Sequence, residues 1–130
     1  VTSVDTASGA IGFEPGLAWD YQSSLLPEME RVDSKAVEYA GIEDLSVKDR
    51  SYRGDNKANV RIHACEYCWA KNIDSDMVSG RHIQVVRSLR CNVEGSAVHH
   101  AHCYNPGANA YGIAVERQTS DTLIQNNIVY

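Results

Sequence analysis

Ile42-Glu43-Asp44-Leu45-Ser46-Val47, Ala70-Lys71-Asn72-Ile73-Asp74-Ser75, Val93-Glu94-Gly95-Ser96-Ala97-Val98 and Ile124-Gln125-Asn126-Asn127-Ile128-Val129 line up as four copies of one pattern. Each opens on an apolar residue. The third position is Asp44, Asn72, Gly95 or Asn126, residue types that accept a left-handed backbone most readily. The openers are 28, 23 and 31 residues apart. A self-similar unit of this size, rich in β-formers, predicts stacked strands, a β-solenoid.

A second set of columns precedes the first. Val60-Arg61-Ile62, Ile83-Gln84-Val85 and Ile113-Ala114-Val115 each read apolar, variable, apolar, the period of a strand with one buried face. Cys65 aligns with Ser88, and Cys68 with Cys91 and Thr122. Small side chains at these positions suit a narrow corner. The 23-residue step is the bare repeat. The surplus elsewhere falls between Val47 and Val60 and between Val98 and Ile113, so both long loops are predicted to leave at the same corner. Insertions gathered on one face commonly build a binding surface.

The 130 residues fit one domain, and 43% apolar residues are enough for a core. Twelve Lys and Arg stand against 17 Asp and Glu, a net charge of -5, and no long basic run exists. That composition lacks the electrostatic footprint of a nucleic-acid binder, though a local patch can still hold an anionic polymer. No apolar run is long enough to span a membrane, so no membrane partner is expected. The chain starts at Val1 rather than Met and shows no signal peptide; the expectation is a longer or processed native protein. Residues 1–39 are predicted as an incomplete or capping N-terminal coil, with Val32 in the Val60 column, and residues 40–130 as the repeat itself. Ala10-Ile11-Gly12-Phe13 reads as a short strand between turn signals.

Gly41 to Val47, Leu123 to Ile128 and Tyr111-Gly112-Ile113-Ala114-Val115 resemble right-handed parallel β-helices of the pectate-lyase-like superfamily, over about residues 40–130. The resemblance implies an all-β right-handed parallel β-helix of a few coils, a fragment of a longer solenoid. It also implies a carbohydrate-active protein located outside the cell or in the periplasm. Its lyases use clustered Asp for Ca²⁺ with an Arg or Lys base, and its hydrolases use paired Asp. Neither set matches residue by residue, so no catalytic assignment follows from the resemblance.

The residues themselves offer His99-His100-Ala101-His102-Cys103-Tyr104 at the start of the longer loop. Asp49, Arg50, Tyr52, Arg53 and Asp55 should face it across the shared corner, with Asp76, Arg81 and His82 between. Imidazole and carboxylate can move a proton, guanidinium can neutralise an anionic substrate, and tyrosine can stack on a sugar ring. His99, His102, Asp76 and Arg81 are therefore the candidate catalytic residues. Tyr52, Arg53, His82, His100 and Tyr104 are the candidate substrate contacts. The plainer alternative is a solvated polar corner.

No metal or cofactor is expected, with a metal on the His99–His102 segment as an alternative. Cys65-Glu66-Tyr67-Cys68 has zinc-like spacing, but it lacks a second pair. Its columns predict small buried side chains; a Cys68–Cys91 disulfide or zinc on Cys65, Cys68 and a histidine are the alternatives. Asp74 and Asp76 would face the same way on a strand, as a glycosidase pair requires or as a hydrated turn allows. Glu94, Glu116 and Lys71 read as solvated, and Trp69 as pointing outward. Polysaccharide binding, with or without cleavage, is the leading expectation. A structural or adhesive solenoid is the alternative. An open stack end should meet flanking coils or another copy.

Overall fold

The computed structural model describes residues 2–14, 16, 20–28, 36–52, 57–104 and 109–130. The chain divides into two compact units, Val1–Asp33 and Ser34–Tyr130. In the first, β1 (Ser3–Asp5) and β2 (Ala10–Gly12) form an antiparallel hairpin. Asp5 accepts hydrogen bonds from the Ala7 N–H (2.9 Å) and the Ser8 hydroxyl (2.6 Å), and Gly9 takes the positive φ of +73° that closes the turn. The strand expected at residues 10–13 is present, but its partner is local and antiparallel rather than a stacked repeat. Residues 23–25 form a single 3-10 turn. Val32 lies outside the described residues.

The second unit is all-β. Its strands are β3 (Val37–Glu38), β4 (Gly41–Lys48), β5 (Ala58–His63), β6 (Cys65–Glu66), β7 (Trp69–Asp76), β8 (Arg81–Val86), β9 (Asn92–Glu94), β10 (Ala97–His99), β11 (Tyr111–Glu116), β12 (Leu123–Gln125) and β13 (Ile128–Val129). Every strand pairing in it is parallel. β4 pairs along β7; the two halves of β7 then pair with β9 and β10, which pair in turn with β12 and β13. β5, β8 and β11 form a second sheet. β3 and β6 form a third, continued by single bridges from Glu66 to Leu89 to Ser120. Each repeat thus visits the three sheets in the same order.

The registers match the sequence columns. Ile42, Ala70, Val93 and Ile124 are successive partners, as are Val60, Ile83 and Ile113. Asp44, Asn72, Gly95 and Asn126 all sit in the left-handed region, at φ of 56°, 49°, 62° and 56°. That residue bends the strand and resets the alternation, so Ala70 and Ile73 both face inward although they are three apart. Asn72 Nδ2 donates to Asp44 Oδ1 at 2.6 Å. In the next repeats Ser96 Oγ accepts from the Ile73 N–H, and Asn127 Oδ1 from the Ser96 N–H. These bonds occupy backbone donors that the bend would otherwise leave buried and unpaired.

The core runs between the sheets through Val60, Ile62, Ala70, Ile73, Ile83, Val85, Val93 and Val98, none more than 7% exposed. Burial is uneven along the stack. Ala70 and Val93 are fully buried, whereas Ile42 and Ile124, expected to be equally buried, are 38% and 43% exposed. They occupy the right column, but among the described residues each has a strand partner on one side only. On the β4 side the interior opens as a cleft of about 420 Å³ lined by Ile42, Leu45, Val47, Val60, Ile62 and Trp69. Trp69, expected to point outward, is half-buried and lines this cleft. Its ring lies across Gly41, where an added Cβ would come within 2.4 Å of Trp69 Cδ2, and its Nε1 donates to Glu43 Oε1 at 2.6 Å.

No described helix is long and apolar enough to cross a membrane.

Candidate functional site

The expected convergence of the two long loops is present in their described parts. His102 Nε2 donates to the Asp49 carbonyl at 3.0 Å, and the His102 N–H bonds the Val78 carbonyl. Ser79 Oγ donates to Asp49 Oδ2 at 2.9 Å, and the Tyr52 and His102 rings lie 6.2 Å apart. The Arg81 N–H bonds Lys57 O, and the Tyr111 N–H bonds Gly80 O. Residues 49–52 and 102–103 therefore meet over the short turn that precedes β8. Tyr52 and Tyr104 stand 55% and 72% exposed at this edge. Arg53 lies outside the described residues.

The proposed catalytic residues do not share one centre. His99 and Asp76 are together on the outer face of the β4–β7–β10 sheet. Here Asp74 and Asp76 of β7 project outward at alternate positions, and His99 at the end of β10 pairs with Asp76. His99 Nε2 is 2.8 Å from Asp74 Oδ1, and its Nδ1 is 3.4 Å from Asp76 Oδ1. His100 follows at φ 57°, a left-handed residue that folds its ring back. Its Nδ1 lies 2.8 Å from His99 Nδ1 and 3.1 Å from Asp76 Oδ1. Ser46 Oγ donates to Asp74 Oδ2 at 3.2 Å, and the Lys48 ammonium pairs with Asp76 Oδ2. The Tyr130 ring stacks on His99 with centroids 5.1 Å apart.

These partners decide what the carboxylates can do. The His99 hydrogen bond, followed by that of Ser46, holds Asp74 below the usual carboxyl range. Lys48, then His100, does the same for Asp76. Both shifts favour the ionised carboxylates, whereas a glycosidase acid needs a raised pKa. The other proposed groups are engaged elsewhere. His102 anchors the first loop. Arg81 Nε is 2.6 Å from Glu116 Oε1, and its guanidinium sits 5.6 Å from the Tyr111 ring centroid. His82 is corrected from substrate contact to core residue: it is 3% exposed, and its Nδ1 lies 2.8 Å from Ser75 Oγ. Burial lowers its pKa and favours the neutral ring.

A second polar feature was not anticipated. Arg61, Arg81, Gln84, Val86, Glu116 and Arg117 line a groove of about 220 Å³ on the β5–β8–β11 sheet. Glu116, expected to be solvated, also accepts from Gln84 Nε2 at 3.0 Å. Its carboxyl is held below the usual range, first by Arg81. The period-two signal held this information: with Ile62, Val85 and Val115 inward, Arg61, Gln84 and Glu116 share the other face. Tyr130 and Lys48 also escaped notice, because pairing across repeats, not sequence proximity, brings them to His99.

Cys68 and Cys91 are core packing residues, and Cys65 packs against them. All four cysteines are free; Cys68 and Cys91 are buried, so the disulfide alternative does not hold. Burial, with Cys68 beside it, raises the Cys65 thiol to about 11. Among the described residues, Asp76, His99 and His100 are the group whose donor atoms converge as a metal site requires; Cys65, Cys68 and His63 do not.

Comparison with protein-family models, curated proteins and solved structures finds no match for the chain. The functional reading therefore rests on the chain's own geometry.

Proposed function

We propose that residues 40–130 are a few coils of a right-handed parallel β-helix, similar to the pectate-lyase-like kind, and that this segment binds a polysaccharide at its loop-lined edge. The parallel pairing and the repeated sheet order support the coil; the hand follows the resemblance. The observation that carries the binding is the meeting of the two long loops, with His102 on the Asp49 carbonyl. That meeting sets exposed Tyr52 beside His102, in the loop that carries exposed Tyr104. Aromatic faces with polar neighbours suit sugar rings.

Arg81 connects this edge to the groove, because Tyr111 beneath its guanidinium closes the second loop. Three arginines against one glutamate in that groove favour an acidic polymer. In this reading the protein binds rather than cleaves, since the expected catalytic groups fall in three separate places. It acts outside the cell or in the periplasm.

Affinity electrophoresis in gels containing polygalacturonate or a neutral glucan tests this. The acidic polymer should retard the wild type, and the neutral one should retard it less. Arg61→Ala with Arg117→Ala should abolish the difference, and Tyr104→Ala should weaken both. Reducing-sugar and unsaturated-uronide assays should stay flat. Unretarded migration of the wild type in both gels would overturn the reading.

A second reading, a structural or adhesive solenoid, is favoured by one observation. Leu123, Ile128, Val129 and Tyr130 on the edge strands β12 and β13 and just beyond are 51–72% exposed. Such an edge is a template for a second copy. Light scattering should then show concentration-dependent association that Ile128→Lys abolishes.

A further inference from the structure

We propose that Asp76, His99 and His100 form a binding site for a divalent transition-metal ion of the zinc type. The proposal does not depend on the sugar-binding reading.

His99 Nδ1, His100 Nδ1 and Asp76 Oδ1 form a triangle with sides of 2.8, 3.1 and 3.4 Å. Neighbouring donors in a tetrahedral or octahedral shell at about 2.1 Å from the ion lie about 2.9–3.4 Å apart. The three atoms already stand at the spacing of one face of such a shell. Between themselves they satisfy one another poorly: at most one proton can lie between the two nitrogens, and the carboxylate oxygen is shared by both. An ion in front of the triangle engages all three lone pairs at once.

The surroundings support it independently. Asp74 Oδ1 lies 2.8 Å from His99 Nε2. Accepting the proton there leaves the Nδ1 lone pair free to point at Asp76 and His100. A carboxylate behind a ligating imidazole is the usual orienting partner in metal sites. Asp74 is itself fixed by Ser46, and Tyr130 covers one face of the His99 ring. The left-handed backbone at His100 brings consecutive imidazoles to the same side, where a plain strand would put them on opposite faces. Two imidazoles and one carboxylate are borderline donors, suited to Zn²⁺, Co²⁺ or Ni²⁺ rather than Ca²⁺. Lys48 opposes the ion, but its ammonium takes Oδ2, leaves Oδ1 to the site, and is 56% exposed.

Equilibrium dialysis and Co²⁺ absorption on the full chain test the proposal. One Zn²⁺ per chain should bind, and Ca²⁺ should not compete. His99→Ala and Asp76→Asn should each weaken binding by at least about 100-fold, and Asp74→Asn by about 10-fold or more. His100→Ala, at an exposed position, serves where His99→Ala fails to fold. Lys48→Gln should tighten binding several-fold, which a purely structural cluster would not show. The Co²⁺ spectrum should lack a thiolate charge-transfer band. Binding unchanged by His100→Ala, a thiolate band, or no bound Zn²⁺ would each overturn the site. None of these measurements involves a glycan, so their outcome is independent of the sugar-binding test.

Discussion

Gly41→Ala is the change whose outcome the structure constrains most tightly. Gly41 pairs with Trp69 across β4 and β7, and its φ is not in the left-handed region, so alanine meets no backbone strain. In an ordinary strand the substitution would stabilise by about 0.5–1 kcal/mol through lost chain entropy. Here the new Cβ would lie 2.4 Å from both Trp69 Cδ2 and Cε2, atoms in the middle of the indole. The ring must leave. Its departure breaks the 2.6 Å bond to the Glu43 carboxylate, a charge-assisted contact worth about 1.5–3 kcal/mol. The net expectation is a loss of about 2 kcal/mol. In a Trp69→Ala background the same substitution meets no ring and should be neutral or stabilising. Urea denaturation of the four proteins gives the coupling energy directly, expected at about 2–3 kcal/mol. Additive effects, with Gly41→Ala equally costly in both backgrounds, would show that the indole does not lie over Gly41.

Ile73→Ala, in the closed middle of the stack, should cost about 2–5 kcal/mol, whereas Ile124→Ala at the half-exposed edge should cost about 1 kcal/mol or less; thermal denaturation giving equal losses would count against the burial gradient. Asn72→Ala should cost about 1–2 kcal/mol for the left-handed backbone and the lost Asp44 bond, and Asn72→Gly distinctly less; chemical denaturation that ranks them the other way would contradict the bend. Glu116 has a folded pKa held below its ordinary value of 4.5, so the stability it contributes is complete above that value and is lost as pH falls through the folded pKa. Glu116→Gln should therefore lower stability by about 1 kcal/mol at neutral pH and flatten the acid side of the stability profile, read by urea titration at a series of pH values.

The apolar columns were legible because each needs only a repeated side-chain type at a repeated spacing. The left-handed corners were legible only where Asp44, Asn72, Gly95 and Asn126 advertise them. The chain turns through the same backbone at Tyr39, Tyr67, Arg90 and Asp121, and again at Ala64, Arg87 and His100. Apart from Asp121, these residue types carry no turn signal. Neighbouring repeats hold them instead: the Ala64 N–H bonds Val86 O, the Tyr67 N–H bonds Leu89 O, and the Arg90 N–H bonds Ser120 O. Tyr39 stacks on Tyr67 at 4.9 Å, and the Arg90 guanidinium lies 5.5 Å from that ring. Tertiary pairing here overrides local preference. The same limit applied to the site. The histidine run was visible, but the partners that decide its chemistry arrive from residues 46–48, 74–76 and 130. The N-terminal hairpin was half legible, because β2 has turn signals on both sides and β1 has none.

The one-sided strand pairing of Ile42 and Ile124 among the described residues has a kinetic corollary. Each layer of the stack is held by the layers beside it, so opening is governed by nearest neighbours as in a linear chain of coupled switches. Amide exchange should be slowest in β7 and β8, faster in β4, and faster again in β12 and β13, with each end fraying without cost to the other. His99 ends β10 and His100 follows it, one layer in from such a fraying end, while Asp74 and Asp76 sit on the slowest strand. Anything that bridges those side chains ties an early-opening layer to a late-opening one, and would be felt as slowed exchange at β10 and at the strand that rests on it.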